Sequence, residues 1–209
     1  MRSLLLSRRD LDFLLNEWLD VEALTKRPRF AEHSRETFDG VLALCEQIAT
    51  EHFAPHNRAA DLDEPRFDGE RVHMIPEVAR ALRMFGEAGI VGAGMDAEVG
   101  GMQLPQTLTQ ACFLWFQAAN VSTAAYPFLT VANANLLLAH GTPEQIETYV
   151  VPMVAGRWFG TMCLSEPQAG SSLADITTRA ERRDDGTFRL HGNKMWISGG
   201  DHDLSENIV

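Results

Sequence analysis

The run GTMCLSEPQAGSS, Gly160 to Ser172, and the run DITTRAERRDDGTFRLHGNKMWISGG, Asp175 to Gly200, decide the reading of this 209-residue chain. In the first, the short apolar stretch Met162 to Leu164 delivers a hydroxyl and a carboxylate, Ser165 and Glu166, into a turn fixed by Pro167 and Gly170. Two further hydroxyls follow at Ser171 and Ser172. Such a turn can aim several N–H and O–H donors at one anionic or carbonyl-rich ligand. In the second, Ile176 to Ala180 and Thr187 to Leu190 are joined by Asp184-Asp185-Gly186, and Asp-Gly between β-prone runs predicts a hairpin. A hairpin brings its outer ends together. The Ser165 to Ser172 turn and a predicted strand over Met195 to Ser198, which carries Trp196, are therefore expected to face one ligand. Polar donors beside a large flat aromatic suit a planar heterocycle bearing phosphate.

These residues resemble a known family. Leu164-Ser165-Glu166-Pro167 with Gly170-Ser171, then Gly192-x-Lys194-x-Trp196-Ile197-Ser198 and Gly200, are similar to the paired signature of the FAD-dependent acyl-CoA dehydrogenases. The likeness continues upstream through Gly100-Gly101, His140-Gly141-Thr142, Glu144-Gln145 and Pro152 to Gly156, so that it covers about Phe30 to the end. It implies an α+β fold: an N-terminal all-α helical domain over 30–156, preceded by an extension over 1–29 and followed over 157–209 by the beginning of an antiparallel β-barrel domain. The extension and the ending LSENIV resemble the larger members, including those similar to methylthiopropanoyl-CoA dehydrogenases.

The resemblance also implies a chemistry. FAD lies against the middle β domain, an acyl-CoA thioester slides along it, a carboxylate removes the α proton, the β hydride passes to the flavin, and the trans-2-enoyl-CoA leaves. By matching position, Leu164 and Ser165 are expected to bond the flavin's pyrimidine edge. Ser171 contacts the cofactor pyrophosphate or the neighbouring CoA, with Ser172 on the CoA side. Trp196 flanks the ring and Ser198 reaches its N5 region. Ser165 stands where Thr is commoner and keeps the hydroxyl; Ser172 stands where Asp is usual and removes a charge; Gly199 replaces a frequent Asn, and Ile146 sits where a Lys often follows Glu-Gln. In the family the catalytic base lies on a C-terminal helical domain, so no catalytic residue is nominated here and this stretch alone is expected to be inactive. An electron-transfer-flavoprotein-like acceptor, homo-oligomerisation at full length and a place in fatty acid metabolism are further implications. Rival readings are a flavin oxidase or monooxygenase of the same fold, and a non-catalytic module.

Composition bounds the remaining choices. A chain that is 45% hydrophobic at this length can bury a sizeable core, as one domain or as one plus part of another. The β-prone Ile208-Val209 reads as the start of a strand, so the chain is expected to be cut inside a domain. A net charge of −11 argues against nucleic acid, whose phosphate backbone calls for a basic surface. Three cysteines, Cys45, Cys112 and Cys163, without a close pair suit a reducing compartment, and the cytoplasm is the expected location. Leu4 to Leu6 is too short for a signal core. Ala124 to Ala139 is broken by Pro127, Asn133 and Asn135, short of the roughly 20 apolar residues of a membrane span. It reads as a buried helix.

Along the chain, Leu11, Leu14, Leu15, Trp18 and Leu19 predict an amphipathic helix. Asp20 to Phe30 reads as a polar connector. A helix capped by Ser34 runs through Phe38, Leu42, Cys45 and Ile48 to Pro55. Asn57 to Arg71 reads as an exposed loop, another helix follows Pro76, and Gly86 to Gly101 reads as irregular. Helices are predicted over Thr107 to Ala119, Phe128 to Ala139 and Glu144 to Ala155, separated by Pro127 and by Gly141-Thr142-Pro143, where Thr142 caps and Pro143 starts the last.

Several lookalikes are read as bland. Gly92 to Ala97 fits a loose dinucleotide fingerprint but lacks its strand-turn-helix setting. His52 and His56 have zinc-pair spacing, yet Pro55 lies between them and the pair reads as satisfied or exposed; no metal site is expected. Asn120-Val121-Ser122 is a glycosylation pattern without a secretion signal. Cys163 reads as a buried strand thiol, and Trp115 and Trp158 as core packing. Glu166 is expected to accept backbone N–H bonds or a charged partner rather than to act as a base. Arg179, Arg182, Arg183 and Lys194 read as a solvated hairpin face, the lesser alternative being that some of them meet a phosphate-bearing substrate.

Overall fold

The computed structural model describes residues 4–209; the first three residues of the predicted extension lie outside the described part. α1 (Arg8–Asp12) is capped by Ser7 and continues as π-helical turns over Phe13–Trp18. It buries Leu15 against Phe38, Leu104 and Leu108, which supplies the partner that periodicity alone does not name. The connector over 20–30 is wound into 3-10 turns at Val21–Lys26 and Pro28–Phe30.

α2 (Arg35–Ile48) starts as expected, with Ser34 accepting from the Thr37 N–H and Thr37 returning a bond to the Ser34 N–H, and it continues as π-helical turns over Ala49–Phe53. The stretch expected to be a loop after Asn57 is partly ordered. α3 (Asn57–Leu62) is followed by a small antiparallel hairpin of β1 (Arg66–Phe67) and β2 (Val72–His73). Its turn is closed by the Asp68 carboxylate, which accepts the N–H groups of Glu70 and Arg71. α4 (Pro76–Glu87) and α5 (Gln106–Ala119) lie close to the predicted ranges.

α6 (Val121–His140) corrects a prediction, because Pro127 does not divide it. A proline inside a helix removes one N–H bond and costs about 3 kcal/mol. Here Pro127 itself is buried and so are Thr123, Ala124, Thr130 and Ala134 beside it, so tertiary packing outweighs local preference. The helix is not buried all round: Phe128 and Leu136 are exposed. Asn120, the glycosylation lookalike, is its buried cap and also donates to the Phe53 carbonyl. α7 (Pro143–Gln145) opens on the expected Thr142 cap, which Gln145 completes as a capping box, and runs through π-helical Ile146–Val150 into α8 (Val151–Val154).

The main core is aromatic. Phe116 of α5 meets Phe85 of α4 at 4.7 Å and Phe53 at 4.9 Å, both edge to face. Trp115, Cys45 and Cys112 are buried with them. His56 is also buried, and its Nδ1 donates to the His52 carbonyl at 2.8 Å. That bond leaves Nε2 as the acceptor for the Thr123 hydroxyl, also at 2.8 Å, and tethers α6 to the end of the α2 segment. Both ring nitrogens are engaged, and burial pushes the ring's pKa down. Thr123→Val keeps the shape but leaves Nε2 buried without a donor. It is expected to cost about 1–3 kcal/mol in denaturant unfolding, with Thr123→Ser close to neutral.

Strands follow the last helix. β3 (Trp158–Phe159) leads into the Gly160 turn, β4 (Arg179–Arg182) and β5 (Phe188–His191) form the antiparallel hairpin, and β6 (Asn207–Ile208) returns to pair with β3 in parallel. Trp158 is only half-buried and donates its indole N–H to Glu206. α6 is bolted to this region: Asn133 Nδ2 donates to the carbonyls of Val209 (2.8 Å) and Thr161 (3.3 Å), and the Thr130 hydroxyl accepts the Gly160 N–H. A helical domain followed by the first strands of a β domain is therefore the observed order.

Candidate functional site

The two signature runs lie side by side. The Met195 N–H donates to the Ser165 carbonyl at 3.0 Å, the Thr161 hydroxyl to the Ser198 carbonyl at 2.6 Å, and Lys194 Nζ to the Leu164 carbonyl at 2.9 Å. The hairpin does bring its outer ends together, but not as regular strands. Trp196 has φ of 60°, in the left-handed region, so Met195 to Ser198 is not the predicted strand. A bulky residue at positive φ is costly and persists only where its neighbours hold it, here through the bonds at Met195 and Ser198 on either side.

β4 also starts later than predicted, at Arg179. The N–H groups of Thr177 and Thr178 are taken by the Glu166 carboxylate, at 2.8 and 3.0 Å, and so are withheld from a ladder. Glu166 is buried and also accepts from Gln168 Nε2, the Thr177 hydroxyl and Lys194 Nζ, the last at 2.8 Å. Lys194 above all, with the Thr178 and Thr177 donors, holds its carboxyl well below the usual carboxylate range. The residue is a fixed anion with its lone pairs committed, which disqualifies it as a base. Lys194 is correspondingly misplaced by the sequence reading: its side chain is 23% exposed and turned onto Glu166, not spread on a solvated hairpin face.

Donors and acceptors are divided unevenly here. The carbonyls of Leu164, Ser165 and Ser198 are all used within the chain, whereas among the described residues the N–H groups of Leu164 and Ser165 and the hydroxyls of Ser165 and Ser198 have no partner in it. Trp196 stands beside them with 84% of its surface open. Met162, Leu164 and Cys163 are exposed along the same run, so Cys163 is a surface thiol and not the buried one expected. An acceptor-rich planar edge laid against this run would find donors, and its ring a flat neighbour. That is the chemistry of an isoalloxazine, whose carbonyls need donors and whose ring needs a wall. Ser171 and Ser172 lie on the exposed turn past Gly170, their carbonyls accepting from Leu173 and Asp175 and their hydroxyls unclaimed among the described residues.

Sequence reasoning misses the residues that hold this arrangement: Thr161, Thr177, Lys194 and Asn133. Their bonds span 11 to 76 positions, so local pattern has no access to them. One signal was available for Lys194, which alternates with Trp196 and Ser198. On the opposite face of α6 from Asn133, a cavity of about 210 Å³ opens between α5 and α6, with Met95, Phe113, Phe128 and Val131 as apolar walls and Gln106, Thr109, Gln110 and Asn135 as polar ones.

The family model described as acyl-CoA dehydrogenase, N-terminal domain, matches residues 36–157. The 3-methylmercaptopropionyl-CoA dehydrogenase of Ruegeria pomeroyi is 34% identical over 198 residues, 93% of this chain and 33% of that protein. Among solved structures, glutaryl-CoA dehydrogenase from Mycobacterium smegmatis superposes with a TM-score of 0.66 at 23% identity, over 80% of this chain and 40% of that one. An acyl-CoA dehydrogenase complexed with FAD from Bacillus anthracis gives 0.64 at 22% identity, over 77% and 26%. The chain spans about a third of the length of the curated relatives it matches.

Proposed function

Because this chain belongs to the acyl-CoA dehydrogenase family, we propose that it forms the helical and flavin-facing part of an enzyme that oxidises an acyl-CoA thioester to the trans-2-enoyl-CoA. The observation that carries this reading is the run of unclaimed donors at Leu164, Ser165 and Ser198 beside the open face of Trp196. Bound FAD supplies the hydride acceptor. The chain's own residues would hold it: the Leu164 and Ser165 N–H groups and the Ser165 hydroxyl would donate to its carbonyls and stabilise negative charge there, and the Trp196 indole would flank the ring. Ser198 would serve the flavin's reactive centre, Ser171 the pyrophosphate or CoA, and Ser172 the CoA.

The cavity between α5 and α6 is the natural place for an acyl chain, since Val91, Met95, Phe113, Phe128 and Val131 give it apolar wall beside the polar Gln106, Thr109, Gln110 and Asn135. A short thioether acyl group is the first substrate to try, by likeness to the Ruegeria protein. No helix among the described residues is long and apolar enough to cross a membrane. We read the enzyme as cytoplasmic and homo-oligomeric, passing electrons to an electron-transfer flavoprotein in fatty acid metabolism, with a domain division near residue 156. Glu166 is committed to its five donors and is not the base; by likeness to the family, proton abstraction is assigned to a carboxylate of a C-terminal helical domain.

Anaerobic titration of the flavin-loaded full-length enzyme tests the reading. Addition of 3-methylmercaptopropionyl-CoA or a short straight-chain acyl-CoA is expected to bleach the visible flavin band without dioxygen. Failure to retain FAD would remove the proposal, and rapid reoxidation of the bleached flavin with release of hydrogen peroxide on admitting dioxygen would favour an oxidase of the same fold.

A further inference from the structure

Lys194 sits where the two signature runs meet, and its ammonium has two partners of different kinds. One is the Leu164 carbonyl at 2.9 Å, on the backbone immediately before Ser165; the other is Glu166 Oε1 at 2.8 Å, immediately after it. Glu166 in turn gathers the N–H groups of Thr177 and Thr178, where the chain enters the hairpin. Thr178 is also the residue against which Gly192 packs: a Cβ on Gly192 would lie 2.1 Å from its hydroxyl oxygen, and Gly192 has φ of 156°. Three separated pieces of backbone, 164–166, 177–178 and 192–195, are thus drawn onto one charge pair whose carboxylate is buried.

Resting on the flavin reading above, we propose that Lys194 is a positioning residue, whose bridge from the Leu164 carbonyl to Glu166 fixes the donors of Leu164 and Ser165 in register with Trp196. By occupying the Leu164 carbonyl, the ammonium turns that peptide's acceptor inward. The free N–H groups of the run are left for the ligand. The bond made by Met195 to Ser165 lies one residue along from Lys194 and depends on the same alignment. Lys194 touches neither ring nor substrate, and it acts through the backbone it holds.

A variant that removes the ammonium without disrupting the fold is available. In Lys194→Met the Glu166 carboxylate keeps four neutral donors, from Gln168, the Thr177 N–H and hydroxyl, and the Thr178 N–H. The chain is therefore expected to fold. In the flavin-loaded full-length enzyme this variant is expected to bind FAD about tenfold more weakly. The midpoint potential of the bound flavin should fall, because displaced donors stabilise its reduced form less. The KM for acyl-CoA should stay near that of the parent while kcat drops. Glu166→Gln, which weakens the hold on Lys194, should shift the potential in the same direction, and the double variant should do no more than the larger single change, since both act through one bridge.

The outcomes separate cleanly. A wild-type enzyme that carries no flavin removes the functional reading and the positioning role with it. Wild-type binding with an unchanged FAD affinity and potential in Lys194→Met overturns the positioning role alone. A loss of thermal stability in that variant with unaltered potential would make the pair merely structural, and additive effects in the double variant would show that the two residues do not share one device.

Discussion

Replacing Ser165 with alanine is expected to lower turnover of the holoenzyme about a hundredfold while moving its melting temperature by less than about 2 °C. The two halves of that expectation have different origins. Structurally, Ser165 contributes its backbone: its carbonyl accepts the Met195 N–H, and alanine preserves that bond. Its hydroxyl has no partner within the described chain, so nothing in the fold is left unsatisfied by removing it. Functionally, the hydroxyl is one of a few donors aimed where a reduced ring accumulates negative charge. Losing one preorganised donor from such a site typically costs two to three orders of magnitude. Steady-state kinetics and a thermal melt on the same preparation decide the matter. Equal losses of rate and stability would return Ser165 to the role of a turn cap, and an unchanged rate would shift the whole burden onto the backbone N–H groups.

What the sequence revealed and what it concealed follow the range of the interactions. The hairpin was legible because Asp185-Gly186 closes it locally: Gly186 has φ of 84° and its N–H reaches the Arg183 carbonyl. The helix starts at Ser34 and Thr142 were legible for the same reason, each cap being closed within three residues. The meeting of the two signature runs could be inferred from hairpin topology without any contact being known. By contrast, Pro127 was misread because the packing that overrides it comes from other elements. Lys194 and Cys163 were misread because burial of a single side chain depends on what crosses it. Lysine defaults to solvent and cysteine to the core, and here each is inverted by the position of Glu166 and by the open surface along Met162 to Leu164. The site was therefore visible as residue types in order, while its supports were visible only as geometry.

Gly101→Ala is the most destabilising small substitution the structure points to, with an expected loss of at least about 3 kcal/mol and a fall in melting temperature of roughly 6–12 °C. A Cβ at this position would lie 2.1 Å from the Met95 carbonyl oxygen and 2.8 Å from that of Gly92. Neither oxygen is free to retreat. Met95 O accepts from the Gln103 N–H at 2.9 Å, and Gly92 O accepts from Met95 at 3.0 Å and Met102 at 3.1 Å. Relieving the clash means breaking bonds in a loop whose Met95 is buried and walls the cavity between α5 and α6. The neighbouring glycine provides the control. Gly100 has φ of +88°, but its Cβ would meet nothing closer than Val154 Cγ1 at 3.6 Å. Gly100→Ala should therefore cost only the strain of a left-handed alanine, about 1–2 kcal/mol. Both variants can be ranked by thermal unfolding. If Gly101→Ala proves no worse than Gly100→Ala, the turn is softer than its hydrogen bonds imply, and the wall that Met95 gives to the proposed acyl cavity is not rigid enough to select a chain by its length.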